Sequence, residues 1–430
     1  MEPLPAWYLR RRAHYLPGNE VRLLQGGDEL FAALIAAVNR ARYEVWLTTY
    51  IFHTDESAQA VSHALVAAAQ RGVRVRVVVD GFGTMGSLGE LRRWWAHTPV
   101  AVAVYRPLDR WWAWLQPEHL RRLHQKVAVV DGEVGFVGGI NVIDDRLDLH
   151  HGRLESPRLD YAVQVRGPVV APMVHTARAM WTRAAFGADW RDEIAQMVRG
   201  PRGLHRAREL LRSMRLVPVG LAGPAATLPA DRTEPSSPGT MEAAFLLRDN
   251  LRQRHSVQAA LLQACGHARQ EIDIVCPYFY PGRVLRRALL QAARRGVRVR
   301  LLLQGQPDYK IAALAASVLY RELLDGGVHI FEYDAAFLHA KVVRVDERWA
   351  TVGSSNLDPL SLLVNFEANL AVRDGAFVRE VAASLETAFA RSRPVVAAPA
   401  ASGWATALRR RAVALMARLY LRLAGVRARY

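Results

Sequence analysis

Twice along the chain an alanine- and leucine-rich stretch of helical spacing runs into a glycine and then into an alternation of apolar residues with arginine. The first copy is Leu65-Val-Ala-Ala-Ala-Gln-Arg-Gly-Val-Arg-Val-Arg-Val-Val-Val-Asp-Gly81, and the second is Leu289-Leu-Gln-Ala-Ala-Arg-Arg-Gly-Val-Arg-Val-Arg-Leu-Leu-Leu-Gln-Gly305. Each predicts a helix that stops where Gly72 or Gly296 takes the left-handed cap, then a strand entering a sheet that the helix covers. Upstream, Ala41-Arg-Tyr-Glu-Val45 echoes Ala268-Arg-Gln-Glu-Ile272, and each leads into a strand ending in aromatics, Tyr50-Ile-Phe52 and Tyr278-Phe-Tyr280. Both halves therefore read helix, strand, helix, strand, which predicts α/β layers around a largely parallel sheet. The expected organisation is a basic tail over residues 1–20, a first domain over 21–200, a linker over 201–240, a second domain over 241–398 and a C-terminal tail over 399–430. The linker is aperiodic and dense in Pro, Gly and Ser, ending in Pro235-Ser-Ser-Pro-Gly239.

Composition narrows the class. With 430 residues, 51% of them apolar and 23% charged, the chain is neither disordered, collagen-like nor a small disulfide scaffold. Cys265 and Cys276 lack the spacing of a zinc site. There is no run of eighteen apolar residues and no apolar core of a signal peptide, so the expectation is a soluble or peripheral, intracellular protein. The 57 basic and 40 acidic residues give a net charge of +17, which calls for a polyanionic partner, nucleic acid or anionic membrane. Two segments bear on that choice. Trp404–Tyr430 carries seven arginines and no acid, with Leu408, Leu415, Leu419 and Leu423 at helical spacing, and reads as a basic amphipathic helix. It fits an interfacial membrane anchor or a helix packed on the domain. Arg110-Trp-Trp-Ala-Trp-Leu115 clusters tryptophan with arginine in a stretch flanked by Pro107 and Pro117, which suits a bilayer interface or a buried aromatic cluster.

The chemistry lies in His124-Gln-Lys126-Val-Ala-Val-Val-Asp131 and His339-Ala-Lys341-Val-Val-Arg-Val-Asp346, both His-x-Lys-x4-Asp. On a strand, residues two apart share a face, so each histidine projects with its lysine, and the aspartate falls at the turn after the apolar run. Only Lys126, Lys310 and Lys341 are lysines, so two of three sit in this motif, and whatever holds them resists arginine. Gly138-Gly-Ile-Asn141 and Gly353-Ser-Ser-Asn356 follow each copy. Small residues there admit a ligand close to the backbone, with Asn141, Ser354 and Asn356 placed to bind phosphate oxygens. Asp160 and Glu367 hold matching places further on and are candidates to fix each histidine's tautomer; strand-end ion pairs are the alternative. Two histidines, two lysines and two asparagines brought together by a pseudo-twofold pairing make a site for phosphodiester transfer that calls for no metal and no cofactor.

At these residues the sequence resembles the phospholipase D superfamily, and more narrowly the bacterial cardiolipin synthases of the B type. The resemblance rests on the two His-x-Lys-x4-Asp motifs, Gly138–Asn141 and the run from Gly353 to Glu367, and covers about residues 20 to 395. Many relatives carry arginine where Leu360 stands, a departure that resembles the B type. The resemblance implies an α/β fold of two pseudo-twofold-related phospholipase D-like sandwich domains with one active site between them. It also implies catalytic residues His124, Lys126, Asp131, His339, Lys341 and Asp346. The implied activity is a phosphatidyltransferase that moves a phosphatidyl group through a covalent phosphohistidine, on His124 with His339 as acid and base, to phosphatidylglycerol. The product is cardiolipin. The near symmetry also admits the exchanged roles. The implied partner is an anionic phospholipid membrane, reached peripherally from the cytoplasmic side of a bacterial cell, with phosphatidylglycerol or phosphatidylethanolamine as donor and no nucleic acid. Oligomeric state stays open. The rival readings are a phospholipase D-type hydrolase, a nucleic-acid phosphodiesterase of the same superfamily, and a non-catalytic membrane scaffold.

Overall fold

Asp55 opens the first repeat's helix, Glu56–Gln70, by accepting the Ala58 N–H at 2.9 Å, and Gly72 at φ 91° closes it. The second repeat's helix, Arg283–Arg294, ends at Gly296 with φ 87°. These helices lie in a computed structural model that describes residues 6–10, 12–107, 121–149, 151–186, 239–306 and 319–396. In the first half the strands are β1 (Leu16–Gln25), β2 (Glu44–Thr49), β3 (Arg74–Asp80), β4 (Ala101–Tyr105), β5 (Val127–Val130), β6 (Val134–Gly138), β7 (Leu147–Asp148), β8 (Gly152–Arg153) and β9 (Tyr161–Arg166). In the second they are β10 (Met241–Arg248), β11 (Glu271–Val275), β12 (Arg298–Gln304), β13 (His329–Tyr333), β14 (Val342–Val345), β15 (Trp349–Gly353), β16 (Glu367–Arg373) and β17 (Ser392–Pro394).

Fifteen strands join in the order β17-β13-β12-β11-β14-β15-β16-β10-β1-β9-β6-β5-β2-β3-β4, and β7 and β8 form a separate hairpin. The expected largely parallel sheet is found only on the flanks, where β2, β3 and β4, and again β11, β12 and β13, run parallel with helical crossovers. Elsewhere the ladder is antiparallel. The reason is the connection: β5 reaches β6 through Asp131 and Gly132 at φ 52° and 71°, a tight turn that can only reverse the chain. The halves meet where β1 pairs with β10, Leu16 opposite Ala243 and Asn19 opposite Met241.

Each half has its own core between sheet and helices, built on Leu34, Leu65 and Val77 in the first and Leu261, Leu289 and Leu301 in the second. A third core is shared: Val127, Val129 and Val163 bury with Val342, Leu370 and Phe377, so apolar burial from both halves of the sheet locks them together. Residues expected as a basic tail take part. β1 begins at Leu16, Trp7 and Tyr8 pack on the shared core, and the Tyr8 hydroxyl donates to Asp249. The tryptophan cluster at 110–115, residues 201–238 of the linker and the C-terminal segment 399–430 lie outside the described residues. Among the described residues no helix is long and apolar enough to cross a membrane.

Candidate active site

The segment before β5 is extended. Leu123 and Gln125 are fully buried on one side, so His124 and Lys126 fall on the other. Two backbone bonds then carry this segment across to the second half. His124 N–H donates to Phe366 O at 3.0 Å, and Phe366 N–H to Arg122 O at 2.9 Å. The second motif crosses the other way, with His339 N–H on Leu159 O at 2.9 Å and Leu159 N–H on Phe337 O at 2.8 Å. The residue after Phe366 is Glu367 and the residue after Leu159 is Asp160, so each histidine is delivered to the other half's carboxylate. His124 Nδ1 lies 3.0 Å from both oxygens of Glu367, and His339 Nδ1 lies 2.6 Å from Asp160 Oδ2. A carboxylate at Nδ1 holds the ring proton there and leaves each Nε2 as the reactive nitrogen.

Two residues that the sequence reading passed over fix this crossing. Buried Asp80, at the end of β3, accepts the N–H groups of Leu123, Phe82 and Gly83 at 2.9, 2.9 and 3.1 Å. Gln304, at the end of β12, accepts Leu338 N–H at 3.0 Å. The signal was present, since Asp80-Gly81 and Gln304-Gly305 close the two copies of the repeat, but a strand end alone does not announce what it will hold.

Lys126 and Lys341 are 5% and 3% exposed. The Lys126 ammonium donates to His124 O at 2.7 Å and stands 5.5 Å from the Tyr50 ring, and Lys341 donates to His339 O. A buried ammonium folded back on its own strand's carbonyl suits a compact point charge rather than a planar fork, in keeping with lysine at these two places in an arginine-rich chain. Burial, reinforced by Lys341, brings Lys126 down to about 7, and burial lowers Lys341 as well. His124 is lowered by burial and by both lysines, against the pull of Glu367. His339 is lowered further by burial, Lys341 and Arg158, and it also feels Lys126 and His124. The two motifs therefore act on one another as a single site. The carboxylates differ. Burial raises Asp160 to about 6, whereas Glu367, which burial would also raise, is held below its ordinary range by His124, Lys126 and the Ser354 hydroxyl.

Asn141 accepts Ile51 N–H on its oxygen at 3.2 Å, which orients its amide, and Asn356 stands in the matching place of the second half, its oxygen 3.9 Å from Cys276 Sγ. Three sequence expectations need correction. The Ser354 hydroxyl does not face a ligand: it donates to Glu367 Oε2 at 2.5 Å and accepts Ala368 N–H at 3.0 Å, so it orients the carboxylate. Its counterpart is Gly139, where a Cβ would lie 2.2 Å from Asp160 Oδ1. Asp131 and Asp346 are likewise not at the reacting end. They sit at the far end of their strands, about 16 Å along from each lysine at 3.3 Å per residue. There Asp131 accepts the N–H groups of Arg42, Tyr43 and Glu44 at 2.8 Å each, and Asp346 accepts those of Arg269, Gln270 and Glu271. Both have φ near 51°, a conformation that aspartate tolerates and most residues do not. Asp131→Ala is therefore expected to cost about 2–4 kcal/mol of stability and to leave kcat of the folded protein within about threefold. Thermal melts beside kcat check this, and a hundredfold loss of kcat at unchanged melting temperature would return Asp131 to the reacting set.

The arrangement thus offers two imidazoles, each backed by a buried carboxylate, with the two buried ammonium groups acting on both of them. Such a set can pass a group bound to one imidazole while the other moves protons, with the charge on a five-coordinate phosphorus held by the cations.

Comparison with known proteins agrees. The family described as "Cardiolipin synthase, PLD-like domain" matches residues 34–152 and 261–391. The chain is 34% identical over 374 residues to cardiolipin synthase B of Salmonella typhi, covering 84% of this chain and 78% of that one. It is 33% identical over 361 residues to cardiolipin synthase B of Escherichia coli K12, again covering 84% and 78%. The crystal structure of phosphatidylserine synthase from Haemophilus influenzae superposes with a TM-score of 0.61 at 16% identity over 89% of each chain, a likeness of fold. With both repeats matched and the two motifs facing each other across their shared core, the chain belongs to the cardiolipin synthase family of phospholipase D-like proteins.

Proposed function

We propose that this chain is a peripheral membrane phosphatidyltransferase that joins a phosphatidyl group to the free hydroxyl of phosphatidylglycerol and so makes cardiolipin. The observation that carries this reading is the crossed pairing of His124 with Glu367 and of His339 with Asp160 in a family of cardiolipin synthases. His124 Nε2 attacks the phosphorus of the donor lipid as its bond to the headgroup oxygen breaks, and His339 gives that oxygen a proton. The second lipid's hydroxyl then loses its proton to His339 and attacks phosphorus as the phosphorus–nitrogen bond breaks. Lys126, Lys341, Asn141 and Asn356 hold the non-bridging oxygens. The cations that depress His339 are offset by the incoming phosphodiester anion, so proton uptake accompanies donor binding.

A net charge of +17 supports docking on anionic lipid, at about 1 kcal/mol for each arginine near the surface. We place the enzyme on the cytoplasmic face of a bacterial membrane. The test is product analysis after incubation with vesicles of isotope-labelled phosphatidylglycerol and unlabelled phosphatidylethanolamine. Doubly labelled cardiolipin is expected when phosphatidylglycerol is the donor, and singly labelled cardiolipin when phosphatidylethanolamine is. Phosphatidic acid alone would overturn the transferase reading in favour of hydrolysis.

A further inference from the structure

The two halves differ beside the carboxylates that hold the histidines. In the ladder of β10 with β16, Arg248 stands directly opposite Glu367. In the first half the ladder of β1 with β9 reaches Gln25 opposite Tyr161, and one step further Gly26, at φ 76°, faces Asp160 and donates its N–H to Asp160 O at 3.0 Å. Residues opposite one another on neighbouring strands project on the same side, so a guanidinium accompanies Glu367 where Asp160 has only a glycine. Asp145 fills that place instead. Its carboxylate accepts Gly27 N–H and would meet a Cβ on Gly26 at 2.9 Å, so a second acid stands beside Asp160 where Glu367 has Arg248, while Lys341, Lys126 and Arg158 act on Asp160 from elsewhere.

Arg248 is 1% exposed, and its Nη1 donates to Asn365 O. The Asn365 side chain accepts Arg122 N–H at 3.2 Å, and the next two residues supply the Phe366 carbonyl and the Glu367 carboxylate that hold His124 by backbone and ring. One buried guanidinium thus anchors the whole turn on which His124 rests. Among the described residues its Nε and Nη2 are buried without a hydrogen-bond partner, a cost that packing alone would remove by an apolar side chain.

We propose that Arg248 is a positioning residue that makes the two histidines unequal: it clamps the Asn365–Glu367 turn and stands as a cation beside Glu367, which commits His124 to the bond with phosphorus and leaves His339 to move the protons. This rests on the phosphatidyltransferase reading. When His124 Nε2 bonds phosphorus its ring becomes cationic, the Nδ1 proton stays toward Glu367, and an ionised Glu367 is the counter-charge. Arg248 favours that ionised form.

The test is single-turnover formation of lipid-labelled enzyme from phosphatidylglycerol vesicles, followed against pH, in the full-length wild type, Arg248→Met and Arg248→Lys. Arg248→Met is expected to slow adduct formation about 10- to 100-fold. It is also expected to move the acid limb of the rate upward by about one pH unit, because Glu367, left with His124 and Lys126 but without the attraction it shares with Arg248, keeps a proton to higher pH. Arg248→Lys, which keeps the charge and loses the fork, is expected to keep the wild-type limb at a lower rate. An Arg248→Met profile that coincides with wild type would overturn the role of Arg248, as would an upward shift of the limb in Arg248→Lys equal to that of the methionine variant. Should Arg248→Met fail to fold, Arg248→Gln, uncharged and polar, takes its place: it is expected to show the same upward shift of the limb, and a wild-type limb in it would overturn the role of Arg248. The absence of any lipid adduct in wild type would overturn the phosphatidyltransferase reading itself, so the two failures are distinguishable.

Discussion

Alanine at either His124 or His339 is expected to lower kcat by about 10^4-fold or more, and the two variants are expected to fail at different points. Without His124 there is no nitrogen to bond phosphorus, because Gln125 points to the buried side of the strand and no other imidazole among the described residues is paired with Glu367. Without His339 the nucleophile is intact and only the proton for the leaving oxygen is missing. A phosphodiester lipid with a nitrophenol leaving group needs no such proton. It is expected to restore release of nitrophenol to within about 100-fold of wild type in His339→Ala, and to restore nothing in His124→Ala. Stopped-flow absorbance separates the cases, and rescue of His124→Ala in preference to His339→Ala would exchange the two roles.

The carboxylates are expected to follow the histidines they touch rather than the motifs they follow in sequence. Glu367→Gln and Asp160→Asn keep shape and remove the anion, and by the loss of tautomer and counter-charge each is expected to cost about 10^2- to 10^4-fold in kcat. Because the pairing is crossed, Glu367→Gln impairs His124, and the activated leaving group leaves its defect in place. Asp160→Asn impairs His339, and the same substrate relieves it. The opposite pattern would mean that each carboxylate serves the histidine of its own half. A pH series adds a second sign. Lys126 loses its charge as pH rises through about 7, so kcat/KM of the wild type falls on that side.

Much of this was legible in the chain. The glycine stops, the arginine-alternating strands and the two His-x-Lys copies are local features, and each appears where its spacing put it. Direction was not legible, because a two-residue period is the same in parallel and antiparallel strands; only the Asp131-Gly132 turn decides that β5 and β6 are a hairpin. The matching places of Asp160 and Glu367 were readable, but the crossing was not. It depends on bonds between residues 179 and 243 positions apart, made by strand ends with no motif of their own. Spacing also could not separate a reacting aspartate from one that caps a strand, so Asp131 and Asp346 read as part of the chemistry until their three N–H partners were seen. Likewise residues 1–20 read as a basic tail, while Trp7 and Tyr8 have partners far along the chain.

The most direct measurement is peptide mapping of the lipid-bound intermediate. Full-length enzyme is mixed with labelled phosphatidylglycerol vesicles, quenched in alkali within the first turnover, digested and examined by mass spectrometry for an acid-labile phosphatidyl group. The expected result is a phosphatidyl group on the peptide containing His124, abolished in His124→Ala and in Glu367→Gln greatly slowed. A label on His339 instead, or cardiolipin formed at full rate with neither histidine labelled, would contradict the account.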